Sequence, residues 1–415
     1  MNAQRSVTVI GAGIVGLCCA RALQRRGRRI TVIDPGEPGR GASYGNAGIL
    51  STGSVLPEGK PGLWKKVPRM LLDPLGPLTI RPAYLPRLTP WMLRFLRNST
   101  AARVERISAA LSSIVLPGLT HYRELLDDIA EGRNPIRQQG CLYLYPKPAD
   151  VEAARPDNEA RLRRGVALEL LGPEEVKQLV PALGVPAAGG ALATASGHTT
   201  SPLRLSTLLA ETIAADGGRF LREKALGFEF GDDGPSQVRT DQGRHGVEDL
   251  VIAAGAVSRP LAAALGHDIP LDTERGYHVM LPRSGLDIRL PMLISSLGFG
   301  VTPMEDGLRL AGTVEFGGTE APPNYRRADA ILTHARRLFP DLAVDGAEKW
   351  MGHRPSMPDS LPVIAQSPRF PSAHFAFGHG HLGLSLAAVT GRIIADLADG
   401  ETPPIDATPF RVDRF

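Results

Sequence analysis

The chain has 415 residues, of which 43% are hydrophobic and 22% are charged, as in an ordinary globular protein of roughly two to three domains. Lys and Arg number 47 against 43 Asp and Glu, so a net charge of +4 gives no argument for nucleic-acid binding. The three cysteines, two of them adjacent, form neither a disulfide framework nor a metal-ligand spacing, so we expect no metal and a reducing, cytoplasmic environment.

The first 34 residues follow the order strand, turn, helix, strand, acid. A short apolar strand over 7–10 leads directly into a turn that carries Gly11, Gly13 and Gly16. The helix that follows ends before Gly27, and a second strand ends at Asp34, which lies 23 residues after Gly11. This order and spacing are typical of a dinucleotide-binding unit, in which the helix N-terminus faces the pyrophosphate and the acid binds a ribose hydroxyl. We expect Ile14, Val15 and Pro35 at the same site. The alternative is a buried strand–turn–helix whose glycines serve packing alone.

Residues 60–106 differ in composition from the rest of the chain. They contain ten Lys and Arg against two acidic residues, together with Trp64 and Trp91. A basic, Trp-containing amphipathic segment is typical of contact with an anionic membrane surface. The alternative is a helical insertion that covers an active site and exposes its charges to water. We expect no membrane-spanning helix, because no apolar run reaches about 18 residues.

The remaining elements alternate between helices and strands, as in an α/β sheet. Residues 100–129 have an apolar stripe of helical spacing that contains Ile107, Leu111, Ile114 and Val115. An apolar run over 250–256 ends in small residues that would let a loop approach a cofactor. A strand over 375–377 then leads through a glycine-rich loop into an apolar helix over 384–398. The N-terminus of such a buried helix would face an electron-rich group, such as a reduced flavin.

These segments together resemble the FAD-dependent amine and amino-acid oxidoreductases of the D-amino-acid oxidase group, especially the bacterial D-amino-acid dehydrogenases. The resemblance rests on VTVIGAGIVGLCCARAL with ITVID, GASYGNAGIL at 41–50, LVIAAGAVS at 250–258, and GHRPSMPDSLPVIA with GHGHLGLSLAAVTGRIIADL near the C-terminus. It implies a mixed α/β (α+β) fold with an FAD-binding Rossmann-like domain. The second, substrate-binding domain is then discontinuous and built on a mainly antiparallel sheet. The FAD-binding domain takes residues 1–55, 196–262 and 350–415, and the substrate-binding domain takes 56–195 and 263–349 with a helical insert at 60–130.

The resemblance also implies roles for particular residues. FAD, held without a covalent bond, is expected to contact Gly11, Gly13, Gly16, Asp34, Ser43, Asn46, Ala47, Gly48, Ala225, Ala254, Gly255, Gly378, Gly380, His381, Leu382 and Gly383. Arg354 is expected to bind the substrate carboxylate. Tyr277, His278 and His381 are candidates for polar contacts to the substrate, and each is also explained by an ordinary structural role.

The function implied is dehydrogenation of a D-amino acid, with a hydride passing from the α-carbon to flavin N5 and the electrons then passing to a quinone or another carrier. The string ERGYHVML resembles dehydrogenases of hydroxyproline breakdown, which favours D-proline or cis-4-hydroxy-D-proline. Two alternatives remain, an oxygen-using amine oxidase of the glycine or sarcosine type and a flavin subunit of a heteromeric complex. The expected location is the cytoplasm, with peripheral contact at the inner face of the membrane. The sequence does not indicate an oligomeric state.

Overall fold

The computed structural model describes residues 5–65, 67–73, 75–129 and 131–415. Its α-helices are α1 (Ile14–Arg25), α2 (Val67–Leu72), α3 (Leu85–Asn98), α4 (Ala101–Val115), α5 (Gly118–Leu125), α6 (Pro148–Arg163), α7 (Pro173–Leu179), α8 (Pro202–Ala215), α9 (Ser258–Ala264), α10 (Arg326–Leu338) and α11 (Gly383–Ala398). Its strands are β1 (Ser6–Ile10), β2 (Arg29–Ile33), β3 (Ile49–Leu50), β4 (Leu78–Ile80), β5 (Ile136–Arg137), β6 (Cys141–Tyr145), β7 (Leu168–Leu171), β8 (Gly189–Ala193), β9 (Gly197–Thr199), β10 (Arg219–Leu221), β11 (Ala225–Gly231), β12 (Gly234–Thr240), β13 (Arg244–Gly246), β14 (Asp249–Ile252), β15 (Asp272–Leu281), β16 (Met292–Ile294), β17 (Phe299–Met304), β18 (Gly307–Phe316), β19 (Glu348–Ser356), β20 (Val363–Gln366) and β21 (Ala373–Phe377).

A six-stranded sheet with the order β10-β2-β1-β14-β21-β20 carries the dinucleotide-binding motif. Its strands are parallel except β20, which pairs antiparallel with β21. Strands β14 and β21 are buried throughout, as expected for parallel strands covered on both faces. Helices α1, α8 and α11 cover one face, and α9 with the small β11-β12-β13 sheet covers the other.

A second, larger sheet has the order β19-β15-β18-β17-β16-β6-β8-β7, with β4 beside β18. It is mainly antiparallel, as predicted, and the exceptions are the parallel pairs β16–β6 and β18–β4. Apolar residues of β15, β17 and β18 pack against α10 and α7 to form a separate core. The mixed α/β fold, with one largely parallel and one mainly antiparallel large sheet, is therefore confirmed.

Two features of the structure bear on the predicted domain division, which stays a prediction. The boundary at residue 350 falls inside β19, which pairs with β15 along its whole length and so belongs to the antiparallel sheet. Helices α4 and α5, placed by the prediction in the substrate-binding domain, instead share the core of α1 and α11. The apolar stripe of α4 requires this packing, and the Tyr122 hydroxyl of α5 donates to the Leu384 carbonyl at 2.8 Å.

Among the described residues, the helical stretch Gly380–Ala398 is long and apolar enough to cross a membrane. The sequence analysis expected no such stretch. This helical stretch is 72% buried inside the fold and packs against α1. Burial by the protein itself accounts for its apolar composition.

Candidate functional site

A cavity of about 1570 Å³ connects the end of the parallel sheet with the wall of the antiparallel sheet. Most of the predicted site residues line it: Gly11, Gly13, Ile14, Val15, Asp34, Pro35, Ser43, Asn46, Ala47, Ala225, Ala254, Gly255, Tyr277, Arg354, Gly380, His381, Leu382 and Gly383. This volume exceeds the roughly 300–1,000 Å³ typical of a small-ligand pocket. The cavity therefore has room for a dinucleotide and a second, smaller molecule.

The three glycines of the first turn have different roles. A Cβ atom added at Gly11 (φ +113°) would lie 2.4 Å from the Ala253 carbonyl oxygen, and one at Gly16 would lie 2.0 Å from the Gly11 carbonyl oxygen. These two glycines therefore allow strand, turn and helix to pack closely. A Cβ at Gly13 would meet only the Ser43 hydroxyl, at 3.4 Å, and would otherwise face the cavity.

Asp34 and Ser43 stabilise this turn directly. One carboxylate oxygen of Asp34 accepts a hydrogen bond from the Ala12 backbone N–H at 2.8 Å, and the other accepts from Gly36 at 2.8 Å. The Ser43 hydroxyl accepts from the Ile14 N–H at 2.9 Å, so it satisfies one of the free donors at the start of α1. Both side chains hold the turn while bordering the cavity.

The loop over 43–48 is anchored from behind by Arg309, which the sequence analysis missed. This buried guanidinium donates to the carbonyls of Tyr44 and Asn46 at 2.9 and 2.8 Å. Burial lowers the pKa of Arg309 to about 10, so it stays charged at neutral pH. Trp350 packs so closely that a Cβ at Gly45 would lie 1.7 Å from its ring.

His278 supports this loop instead of facing the cavity. Its ring stacks on Trp350 with centroids 5.2 Å apart, and its Nδ1–H donates to the Gly45 carbonyl at 3.1 Å. Burial lowers the pKa of His278 to about 4, so the ring is neutral at neutral pH. His278 does not line the cavity, so the structure gives it a structural role, and a contact with the substrate stays a prediction.

Three residues predicted to contact the cofactor, Gly16, Gly48 and Gly378, do not border the cavity. Gly16 faces the turn, as described above. A Cβ at Gly48 would lie 2.6 Å from Met304, and one at Gly378 would lie 2.7 Å from Met357. Each of these glycines permits close packing one layer behind the cavity wall.

Tyr277 contributes to the wall, but its hydroxyl is already engaged. That hydroxyl donates to the buried carboxylate of Glu315 and accepts from the Asn324 N–H at 2.9 Å. Glu315 also accepts from Arg275 at 3.2 Å and from Arg81 at 2.8 Å. Burial, followed by the bond to Glu315, raises the pKa of Tyr277 to about 12. The phenol is therefore protonated and holds the buried network together.

Arg354 is the cation of the antiparallel wall. Its Nη1 donates to the Thr313 carbonyl at 2.9 Å and its Nη2 donates to the Gly312 carbonyl at 3.3 Å. Within the described part of the chain, no salt bridge joins it to a carboxylate. Burial lowers its pKa, against the attraction of Glu274 and Glu58. A guanidinium with two bonds to carbonyls keeps further N–H donors, so Arg354 is suited to bind an anion in the cavity.

The backbone that receives Arg354 is strained at one position. Thr313 has φ +55°, a left-handed conformation that β-branched residues rarely adopt and that costs roughly 1–3 kcal/mol. The Thr313 carbonyl accepts the hydrogen bond from Arg354, and Thr313 itself borders the cavity. The strain is therefore located at the contact that fixes the guanidinium.

The third predicted element is the loop between β21 and α11. Gly378 and Gly380 adopt positive φ values of +79° and +54°, and α11 then begins without an acidic residue in its first turn. His379 is buried and shares a hydrogen bond with Thr390 at 2.9 Å, and burial lowers its pKa to about 3. His381 lies at the cavity and pairs with Glu58 at 3.0 Å.

Comparison with known proteins identifies the cofactor that such a cavity holds. The family model described as FAD dependent oxidoreductase (DAO) matches residues 6–397. This chain belongs to that family. The FAD-dependent oxidoreductase is 40% identical to a D-amino-acid oxidase of Bradyrhizobium diazoefficiens, over 99% of both chains. It is 33% identical to a D-amino acid dehydrogenase of Paramagnetospirillum magneticum, over 99% of this chain and 98% of that relative.

Solved structures support the same fold. The L-proline dehydrogenase from P. horikoshii superposes with a TM-score of 0.76 at 19% identity, covering 100% of this chain and 98% of that one. The glycine oxidase from Geobacillus kaustophilus superposes with a TM-score of 0.74 at 22% identity, covering 99% of this chain and 100% of that one. At these identities the likeness shows that the oxidoreductase shares their fold.

The residues of this oxidoreductase fit FAD. The turn leaves open space in front of Gly13 and Gly255, where an added Cβ would meet a single hydroxyl or nothing. Asp34 and the first residues of α11 also line the cavity. None of the three cysteines lines the cavity.

Several residues of the site were missed by sequence reasoning. Glu274, Gly276 and Thr313 line the wall around Arg354, and Trp350 and Arg309 hold the loop over 43–48. The strand alternation of β15 places Glu274 and Gly276 on one face, and this was the signal available. The others depend on pairing between distant strands, which no local pattern specifies.

Proposed function

We propose that this FAD-dependent oxidoreductase dehydrogenates D-amino acids at the α-carbon. The observation that carries this proposal is Arg354, whose half-buried guanidinium lines the cavity and forms no salt bridge to a carboxylate in the described part of the chain. An amino acid supplies the carboxylate that such a group binds. The names of the relatives, a D-amino-acid oxidase and D-amino acid dehydrogenases, support the D configuration.

The residues of the site bind and orient the substrate. Arg354 holds the carboxylate through its remaining N–H donors, and the bonds to Gly312 and Thr313 keep the guanidinium in place. Bound FAD supplies a hydride acceptor at flavin N5. The N-terminus of α11, free of acidic side chains, stabilises negative charge nearby. The product is an imine, which water converts to a 2-oxo acid or which stays cyclic if the substrate is a proline.

Within this class we propose D-proline or cis-4-hydroxy-D-proline as the substrate. The support is the resemblance of the string ERGYHVML in β15 to dehydrogenases of hydroxyproline breakdown. An apolar and aromatic side of the cavity, lined by Trp91, Met92 and Phe95, suits a compact ring.

Anaerobic reduction of the bound flavin tests the proposal. The purified holoenzyme is mixed with a panel of D- and L-amino acids, D-proline, cis-4-hydroxy-D-proline and N-methylglycine, and loss of the flavin absorbance is followed. We expect D-amino acids to bleach the flavin and their L-enantiomers to leave it oxidised. A protein that holds FAD but is bleached by no compound would instead be a flavin subunit of a heteromeric complex.

We further propose a quinone or another carrier as the electron acceptor. The alternative, an oxidase that reduces oxygen, is favoured by the name of the Bradyrhizobium relative. Peroxide separates the two. Little peroxide in air, together with rapid turnover on a soluble quinone, supports the dehydrogenase, and peroxide equal to the substrate consumed contradicts it.

The proposed location is the cytoplasm, with peripheral contact at the inner face of the membrane. The support is the surface of the insert, which exposes several large apolar side chains beside its basic residues: Trp64, Leu71, Leu72, Leu85, Leu93 and Leu96. A quinone acceptor dissolved in the membrane would be reached from such a surface.

A further inference from the structure

Glu274 is the acidic counterpart of Arg354 on the cavity wall. The two residues are directly opposite in the antiparallel pair β15–β19, where Cβ atoms are about 4.5–5.5 Å apart. The guanidinium of Arg354 lies directly over Gly276. A Cβ atom added at Gly276 would be only 2.3 Å from Nη2 of Arg354. Glu274 and Gly276 share one face of β15. A carboxylate and a guanidinium therefore lie side by side on the same wall.

The carboxylate of Glu274 has no fixed cationic partner. No salt bridge joins it to any residue of the described part of the chain, and hydrogen bonding by the Ser356 side chain favours its charged form and lowers its pKa. Burial and the neighbouring Glu58 raise its pKa, whereas Arg354 and His381 lower it. A half-buried carboxylate without a salt bridge is costly for the fold, and a cationic ligand reduces that cost.

We propose that Glu274 binds the amino group of the substrate whose carboxylate is held by Arg354. This inference rests on the proposed function. An α-amino acid carries its ammonium and its carboxylate on one carbon, so adjacent opposite charges on the wall match its two ends. With both groups fixed, only the side chain and the hydrogen of the α-carbon remain to be placed. Glu274 and Arg354 together then decide which enantiomer directs its hydrogen towards the flavin.

Two other carboxylates on the elements around Glu274 and Arg354 are already paired. Glu58 is 57% exposed and pairs with His381 at 3.0 Å. Glu315 is buried among Arg81, Arg275 and Tyr277. Glu274 is thus the carboxylate beside Arg354 that is left for an ammonium group.

The test compares D-alanine with propanoate, which differ only by the amino group. The affinities of the Glu274→Gln holoenzyme are measured without oxygen. The affinity for D-alanine comes from the concentration dependence of flavin reduction or of the change in the flavin spectrum. The affinity for propanoate comes from its competition with D-alanine. We expect the affinity for D-alanine to fall roughly 10- to 100-fold, as for loss of a hydrogen bond to a charged group, while propanoate binds at least as well as before. Arg354→Ala should weaken both ligands. Glu305→Gln, which removes a carboxylate that pairs with Arg204 outside the cavity lining, is the control and should change neither.

Two results would overturn the inference. Equal weakening of D-alanine and propanoate in Glu274→Gln would show that Glu274 merely positions Arg354. Unchanged affinity for D-alanine would show that the amino group binds elsewhere. Failure of the proposed function looks different, because wild-type flavin would then be neither reduced nor perturbed by any amino acid.

Discussion

Gly11 and Gly13 lie two residues apart in one turn, yet side chains at these positions would have opposite consequences. At Gly11 a Cβ would collide with the backbone at Ala253, whereas at Gly13 it would enter the cavity and meet only Ser43. The backbone at Gly13 is extended, with φ −72° and ψ 170°, which valine adopts readily. A variant at Gly13 thus separates cofactor binding from folding.

Gly13→Val should give a folded protein without FAD, because the valine side chain would stand where the pyrophosphate approaches the backbone. The ratio of flavin to protein absorbance and the circular dichroism spectrum of the purified variant measure both properties. Gly246→Val is the matched control, since a Cβ there meets nothing within 4 Å and lies outside the cavity lining. Wild-type flavin content in Gly13→Val would contradict this site for the cofactor.

Arg354 is expected to control substrate binding without affecting FAD. Removing the charged partner of a buried substrate carboxylate costs about 2–5 kcal/mol. Arg354→Ala should therefore lower kcat/KM by roughly 30-fold to 5,000-fold while the flavin content stays normal. Arg354→Lys should recover little, because an ammonium group cannot form the paired hydrogen bonds of a guanidinium. Steady-state kinetics with an artificial acceptor measure the loss, and near-normal values would reject the role.

The pairing of β15 with β19 makes Gly276 part of the same contact. A Cβ at this position would overlap the guanidinium of Arg354. Alanine is otherwise better than glycine in a strand by roughly 0.5–1 kcal/mol. Gly276→Ala should thus be at least as stable as wild type but should bind propanoate at least about 10-fold more weakly, since the guanidinium is displaced. Thermal unfolding and flavin spectral titration measure the two effects. A variant with unchanged propanoate affinity would show that the guanidinium has room to move.

The elements differ in how far the sequence predicts them. The unit β1–α1–β2 with Asp34 follows from local spacing, because its strand, turn and helix are contiguous in the chain. The wall around Arg354 depends on the pairing of residues 272–280 with 348–356, and neither strand specifies its partner. His278 illustrates the consequence. Its sequence neighbourhood indicated a substrate contact, but the tertiary packing of Trp350 and Gly45 places it behind the wall.

The helical insert over 60–130 also shows what the sequence does not predict. Its basic composition and its tryptophans are evident in the sequence, but the sequence does not show that its helices pack into two different hydrophobic cores. Helices α4 and α5 pack on α11, whereas α3 packs through Leu88 and Trp91 on Phe316 of the antiparallel sheet. Both helical stretches have an apolar stripe, and a stripe does not say which surface it covers.

Buried histidines should make the whole molecule sensitive to mild acid. Burial lowers the pKa of His198, His278 and His374 to about 4 and that of His379 to about 3, from an ordinary 6.5. Below pH 6.5 the unfolded chain takes up protons that the folded chain refuses, so stability falls as the pH falls towards 4. Between pH 7 and pH 5.5 each of these histidines lowers the free energy of unfolding by roughly 1 kcal/mol.

Denaturant unfolding of the FAD-saturated protein at pH 7 and 5.5 measures this loss. His374→Leu removes one of these groups and should reduce the loss of stability between the two pH values by roughly 1 kcal/mol. The carboxylates with raised pKa values, Asp249, Asp272 and Glu274, act in the opposite direction, because they protonate more readily when folded. Equal stability at both pH values would contradict the assignment of these histidines as buried and neutral.

The insert is also expected to connect the enzyme with its acceptor. Trp64 is 61% exposed and Leu72 is 83% exposed, and both lie among the basic residues of the 60–106 segment. Attraction to anionic lipid contributes about 1 kcal/mol per basic residue near the surface and is screened by salt. The protein should therefore sediment with anionic vesicles at low salt and be released at high salt.

A double variant, Trp64→Ser with Leu72→Ser, should lose vesicle binding while keeping its FAD and its turnover on a soluble dye. Leu170→Ser is the matched control, because Leu170 is equally exposed, at 61%, but lies on β7 outside the insert. Neutral vesicles separate the two contributions, since they retain the apolar contact and lack the electrostatic one. If neither vesicle binds the wild-type protein, the insert serves only to cover the cavity, and a soluble carrier becomes the expected acceptor.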